Sequence, residues 1–226
     1  MAGPGWSDDD PGDQGRIVAN CQRLLAEIRT AALVRQAATA DDVKRWHTTI
    51  YEGCVVPPAS YAGNFRGDPR HPELVDYEVG VGPTLADGYP ERVGVWAVDV
   101  AAELDVFFDR LQQAFAALDP HLAAGRRPKT VDLLHEIVAL TAVVHGEWIR
   151  IHPFANGNGR TARLWAAYVS LRYGLPVYVA LKPRPGDVAY ARAAKASMGR
   201  PPNFVGDHSE AIAVFAHLLS LALLAP

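Results

Sequence analysis

Residues 151–163 read Ile-His-Pro-Phe-Ala-Asn-Gly-Asn-Gly-Arg-Thr-Ala-Arg, and they hold the residue types most able to do chemistry. His152 offers an imidazole that can take a proton near neutral pH. Pro153 ends whatever helix precedes it. Gly157 and Gly159 let the backbone turn tightly and bring bare N–H groups forward. A helix that starts there points its free amides and positive dipole end at the turn, which makes an anion site out of backbone. Arg160 and Arg163 lie three apart on that helix, so both guanidinium groups can lean over one anion. Two such forks beside a helix start suit a polyphosphate better than a single phosphate. The chain contains no GxxxxGK[ST] run, which excludes the P-loop way of holding a nucleotide.

The flanking sequence must position these groups. Apolar residues at three- and four-residue steps predict helices over 16–39, 41–51, 101–118 and 130–151. Further helices are expected over 158–173, 187–198 and 208–224. The helix over 130–151 delivers the chain to His152, and the helix from Asn158 leaves the turn. Residues 54–100 differ: Pro57, Pro58, Pro69, Pro72, Pro83 and Pro90 forbid long helices. Val75, Tyr77, Val79 and Val81 alternate with polar or small residues there, and Gly82-Pro83 closes the run, so a β-hairpin flap is expected. Residues 1–15 are rich in Gly, Pro and Asp and read as a disordered tail, with a single domain over 16–226.

Composition bounds the class. Hydrophobic residues make up 49% and charged residues 21% of 226 residues, an ordinary globular balance. The formal net charge of -3 gives no global field to recruit nucleic acid or an anionic membrane. Cys21 and Cys54 are too few for a disulfide framework. No apolar run reaches the roughly 18–20 residues of a membrane span, and Asp8, Asp9 and Asp10 argue against a signal peptide. A cytoplasmic, bacterial setting is the expectation. His145 stands at helical spacing from His152, but no third ligand follows, so it reads as a packing residue.

The 152–163 segment closely resembles the signature of the Fic family, HPFx(D/E)GNGRxxR, and departs from it at one defined position. The loop Tyr61-Ala-Gly-Asn-Phe-Arg66 ahead of the expected flap is similar to a family loop of the form AGxFR. The resemblance covers about residues 40–205 and implies a mainly α fold, a Fic-type helical bundle with a short β-hairpin flap. It implies a protein adenylyltransferase that moves AMP from ATP onto a Ser, Thr or Tyr hydroxyl. His152 would be the general base. Gly157, Asn158 and Gly159 would form the anion hole, and Arg160 and Arg163 would bind the β- and γ-phosphates. Tyr190 is a candidate for the adenosine, with Ser197 a weaker one. Residues Tyr77, Glu78, Val79, Gly80 and Val81 would pair with an extended target segment.

The departure is Asn156, where the family has Asp or Glu as a ligand for Mg²⁺ (or Mn²⁺). An amide oxygen can still coordinate, but without charge. The resemblance therefore leaves two alternatives beside AMP transfer: a Fic-fold transferase of another phospho-group, or a catalytically weak module that binds nucleotide or a partner. Many relatives are inhibited by a glutamate in (S/T)xxxE(G/N) that pairs with the second signature arginine. Thr48 to Gly53 matches that pattern formally and makes Glu52 a possible inhibitory residue. A separate antitoxin-like partner is the other expected source of inhibition.

Overall fold

Two helices with little polar surface set the architecture. The computed structural model describes residues 5–6, 11–84, 86, 88–89 and 92–224. Helices α5 (Val131–Ile151) and α6 (Asn158–Arg172) form the central pair. Every residue of α6 from Thr161 to Arg172 is buried. A helix that is buried on all sides must be covered on all sides. Besides α5, α1 (Pro11–Leu33) and α2 (Ala40–Ile50) lie against it. Helix α4 (Val100–Leu118) packs on α5, while α7 (Val188–Met198) and α8 (Ser209–Leu224) pack on α5 and on each other. Between α2 and α4 runs a mostly irregular stretch with one short helical turn, α3 (Pro72–Val75).

Aromatic rings weld the centre together. Trp148 of α5 and Trp165 of α6 have ring centroids 5.9 Å apart, and Phe107 of α4 lies 5.4 Å and 5.5 Å from them. Rings of this size bury 150–250 Å² each and dominate core energetics. The Trp148 indole N–H donates to Thr161 Oγ1 at 2.7 Å, which fixes the register of α5 against α6. At the far end of α6, Asp119 accepts from Arg172 Nη2 (2.6 Å) and Tyr173 Oη (3.0 Å).

Helix boundaries follow capping chemistry. Thr39 and Asp42 form a capping box at the start of α2. Thr130 accepts from the Leu133 amide at the start of α5. Helix α5 stops because His152 is left-handed (φ 53°, ψ 55°), and Pro153 follows it.

The five later helices fall close to their expected ranges, but the N-terminus does not. Helix α1 begins at Pro11, not near residue 16, and ends at Leu33. Trp6 is only 8% exposed, and buried Asp13 accepts from the Val55 amide at 3.0 Å. Of the expected tail, residues 5–6 and 11–15 therefore belong to the folded body. Composition averaged over a Gly/Pro/Asp stretch hides one anchoring indole and a proline that suits a first helical turn.

The expected β-hairpin is absent among the described residues. Pro72 starts α3, so Val75 is helical. An isolated antiparallel bridge follows, Val79 with Val93, where the Val93 amide donates to the Val79 carbonyl at 3.1 Å. The alternation also fails: Tyr77 is buried, but Val81 is 56% exposed. Gly80, with φ of 57°, breaks the extended run. No helix among the described residues is long and apolar enough to cross a membrane.

Candidate active site

The loop between α5 and α6 is held from three sides. Arg66 is buried and acts as its keystone. Its Nε donates to the His152 carbonyl (2.8 Å), and its Nη2 to the carbonyls of Val95 (3.0 Å) and Ile151 (3.2 Å). Its Nη1 reaches the Tyr77 carbonyl (3.1 Å) and Glu78 Oε2 (3.0 Å). The Arg66 amide itself donates to the Pro153 carbonyl at 2.7 Å. Within the loop, Asn158 spends both side-chain atoms on Phe154, accepting from its amide (2.9 Å) and donating to its carbonyl (2.8 Å). From α2, His47 stacks flat on the fully buried Phe154 ring, with centroids 3.8 Å apart. His47 Nδ1 accepts from the Gly63 amide (2.9 Å), so Nε2 carries the proton that bonds the Asn156 carbonyl (2.9 Å).

His152 has a fixed tautomer. Its Nδ1 lies 3.1 Å from the Ile149 carbonyl, an obligate acceptor, so Nδ1 carries the proton and Nε2 keeps its lone pair. Gly94 backs the residue: a Cβ at Gly94 would stand 2.3 Å from His152 Cβ, and φ is 80° there. Only glycine fits that approach.

The turn that follows has the geometry of an anion site. Gly157 is left-handed (φ 77°) and precedes α6. The first amides of α6, those of Asn158 and Gly159, precede any helical acceptor. Arg163 is buried, and its Nε donates to the Leu181 carbonyl at 2.9 Å. Arg160 Nη1 donates to Tyr51 Oη at 2.7 Å. A cavity of about 720 Å³ lies between Gly80, Val93 and α7. It is lined by Arg92, Arg184, Arg192, Lys195 and Arg200, with no carboxylate in the lining. Val93 lines the cavity, and its neighbour Gly94 lies against His152 Cβ.

Burial, reinforced by the Arg66 charge, pulls the His152 imidazole down to about 3. Burial also takes His145 down to about 3, with Arg163 and His208 adding to the fall. Both rings are therefore neutral in the folded protein at physiological pH. In the unfolded chain they take a proton near the ordinary histidine value of about 6.5. Below that value the unfolded state binds more protons, so folding stability falls as pH drops from about 6.5 towards 3. The slope approaches ~1.4 kcal/mol per pH unit for each histidine. Denaturant unfolding at pH 7.5 and pH 5 is expected to show the loss, and a His145→Gln variant to show less of it. Equal parental stability at both values counts against neutral burial.

Asn156 is held by neighbours on both sides. Asn156 Oδ1 accepts from the Gly157 amide (2.6 Å), and its Nδ2 donates to the Trp6 carbonyl (3.0 Å). Among the described residues, no group of three His, Cys, Asp or Glu side chains could hold an ion. The side chain of Asn156, the expected metal ligand, thus makes two hydrogen bonds within the protein.

The Fic/DOC family model matches residues 37–170, more than half of the chain and the whole of this loop. The chain belongs to the Fic/DOC family. It is similar to "Protein adenylyltransferase fic-1" of Caenorhabditis elegans, 32% identical over 106 residues that cover 43% of this chain and 21% of that protein. The same-named protein of Caenorhabditis briggsae is 38% identical over 72 residues, covering 31% and 14%. The chain thus spans about a fifth or less of these relatives. A Fic domain containing signaling protein from Bacteroides thetaiotaomicron matches in structure with a TM-score of 0.61 at 20% identity, over 95% of this chain and 70% of that one.

Within this Fic chain, several expected roles move. Tyr77 packs edge-on to Tyr61 (5.1 Å) in the core, and Glu78 bonds Arg66, Arg92 and the Ala97 amide, so neither lies open to a target. Only Gly80 and Val81 of the expected flap are exposed. Asn158 braces the loop through Phe154 with its side-chain oxygen and one of its two N–H donors. Glu52 is exposed and pairs with Arg23 of α1, whereas Arg163 bonds Leu181, so the inhibitory pairing is absent. Tyr190 lines the basic cavity while its hydroxyl shares a 2.8 Å hydrogen bond with His145. Gly157 caps the start of α6, Gly159, Arg160 and Arg163 lie in its first turns, and His152 ends α5. Sequence reasoning missed His47, Arg66 and Trp6 as supports. A lone arginine directly after an aromatic in a Gly-containing loop was the available signal for Arg66.

Proposed function

We propose that this chain transfers the AMP part of ATP to a Ser, Thr or Tyr hydroxyl of a protein target. His152 Nε2 takes the proton from the hydroxyl while its oxygen attacks the α-phosphorus. The bond from that phosphorus to the oxygen bridging the β-phosphate breaks, and pyrophosphate leaves. Arg160, Arg163 and the first amides of α6 hold the phosphates, so positioning and charge stabilisation carry the rate. The nucleoside occupies the basic cavity beside Tyr190, and its size suits a small molecule. A target segment docks along the exposed Gly80 and Val81.

The observation that carries this reading is the His152 tautomer. An imidazole with Nδ1–H locked on Ile149 keeps a lone pair at Nε2, on a loop that opens directly into an anion-binding helix start. The partial likeness to proteins named adenylyltransferases supports AMP over another group. Incubation with labelled ATP, Mg²⁺ or Mn²⁺ and cell lysate, followed by intact mass of the labelled protein, tests it. A mass gain of one AMP is expected. A gain of one phosphate points to the other Fic-fold chemistry and removes this proposal.

A further inference from the structure

We infer that Trp6 is a latch on the anion site, released when a triphosphate is seated. This rests on the reading of the turn as a phosphate site. Trp6 is 8% exposed and its ring packs on Tyr51 (centroids 4.4 Å apart) and near His47 and Tyr61 (6.1 Å each). Two connections run from this one residue into the site.

The first runs through Asn156. Its amide nitrogen donates to the Trp6 carbonyl (3.0 Å), which holds its oxygen on the Gly157 N–H (2.6 Å). That N–H belongs to the glycine that opens the turn, so a side-chain oxygen occupies one of the amides an anion needs. The second runs through Tyr51, whose hydroxyl takes Arg160 Nη1 (2.7 Å) while its ring supports Trp6. The same hydroxyl is so close to the turn that a Cβ on Gly157 would lie 2.6 Å from it. Docking of Trp6 thus occupies the Gly157 amide and draws one guanidinium aside.

This geometry accounts for Asn156. An amide can accept from Gly157 N–H with one atom and donate to a carbonyl with the other, which an ionised carboxylate cannot do. A carboxylate would set negative oxygen against the Trp6 carbonyl. The neutral residue forgoes metal affinity and gains the latch. The docked state is also poised for release, because the Trp6 indole N–H is buried without a partner.

The test uses the full chain, with ATP in EDTA measured by calorimetry and hydrogen exchange followed over residues 154–160. If the latch is closed about nine-tenths of the time, opening it strengthens apparent binding about 10-fold. Trp6→Ala is expected to give that gain and faster exchange over 154–160 before ATP is added. Asn156→Ala, which leaves the aromatic packing intact, is expected to do the same. ATP bound equally by parent and both variants, with unchanged exchange, overturns the latch and leaves the nucleotide site standing. ATP bound by none of the three overturns the nucleotide reading, and the latch with it.

Discussion

A His152→Ala variant is expected to transfer AMP about 10²- to 10⁴-fold more slowly than the parent, the range a positioned base contributes. The expectation rests on how little freedom His152 has. Its backbone is left-handed at the end of α5, its Nδ1–H is tied to Ile149, and its carbonyl is held by Arg66. The imidazole is therefore preorganised and neutral, with burial pulling it down to about 3. A base that is neutral throughout the physiological range produces no rate loss between pH 8 and pH 5 from its own titration. The acid limb of the rate profile is expected well below the ordinary histidine value. ATP affinity separates chemistry from structure here. The phosphates are assigned to Arg160, Arg163 and the α6 amides, so the variant is expected to bind ATP within about 3-fold of the parent, well under ~1 kcal/mol. Initial rates of labelled AMP incorporation, with calorimetric ATP binding beside them, check both parts. Transfer at the parental rate with normal binding removes His152 from the mechanism.

How far the sequence went depends on the range of the interactions involved. The helices were legible because their signals are local: apolar spacing, a Thr39 cap, a Thr130 cap and a proline after His152. The turn was legible because Gly157, Gly159, Arg160 and Arg163 sit within a few residues of each other. What the sequence did not show was set by side-chain partners that no local pattern announces. Asn158 and Asn156 looked free to meet ligand, yet Asn158 closes the loop on Phe154 and Asn156 reaches Trp6 across most of the chain. Glu78 stood in an alternating run, but two buried guanidinium groups, Arg66 and Arg92, hold its side chain inside. Charge pairing in the interior overrode the period-two pattern, because a buried cation without a partner costs more than a lost strand. Glu52 matched a short motif, but the helix that carries the motif faces Arg23 of α1.

Arg66 illustrates the same point at larger scale. An Arg66→Ala variant is expected to lose ~3–5 kcal/mol of stability, the cost of breaking a buried charge pair from one side. The side chain donates to four carbonyls and to Glu78, and of these groups Val95 and Glu78 are shared with Arg92. Removal takes a donor from the carbonyls of His152, Ile151 and Tyr77, and leaves the Val95 carbonyl to Arg92 and Glu78 to Arg92 and the Ala97 amide. For a chain of this size, each ~1 kcal/mol moves the melting temperature by about 2–4 °C, so a fall of about 10 °C is expected. Arg66→Lys should rescue little of it, since a single ammonium cannot span the fork that bridges the three segments. Burial pulls the Arg66 guanidinium down to about 10, which leaves it charged at neutral pH. The defect should therefore be the same at pH 7 and pH 8. Scanning calorimetry of the parent and both variants decides this: a shift under about 2 °C for Arg66→Ala would mean that the loop keeps its shape through Asn158 and His47 alone. The larger fall identifies the arginine of the 61–66 loop as the residue that fixes where His152 stands.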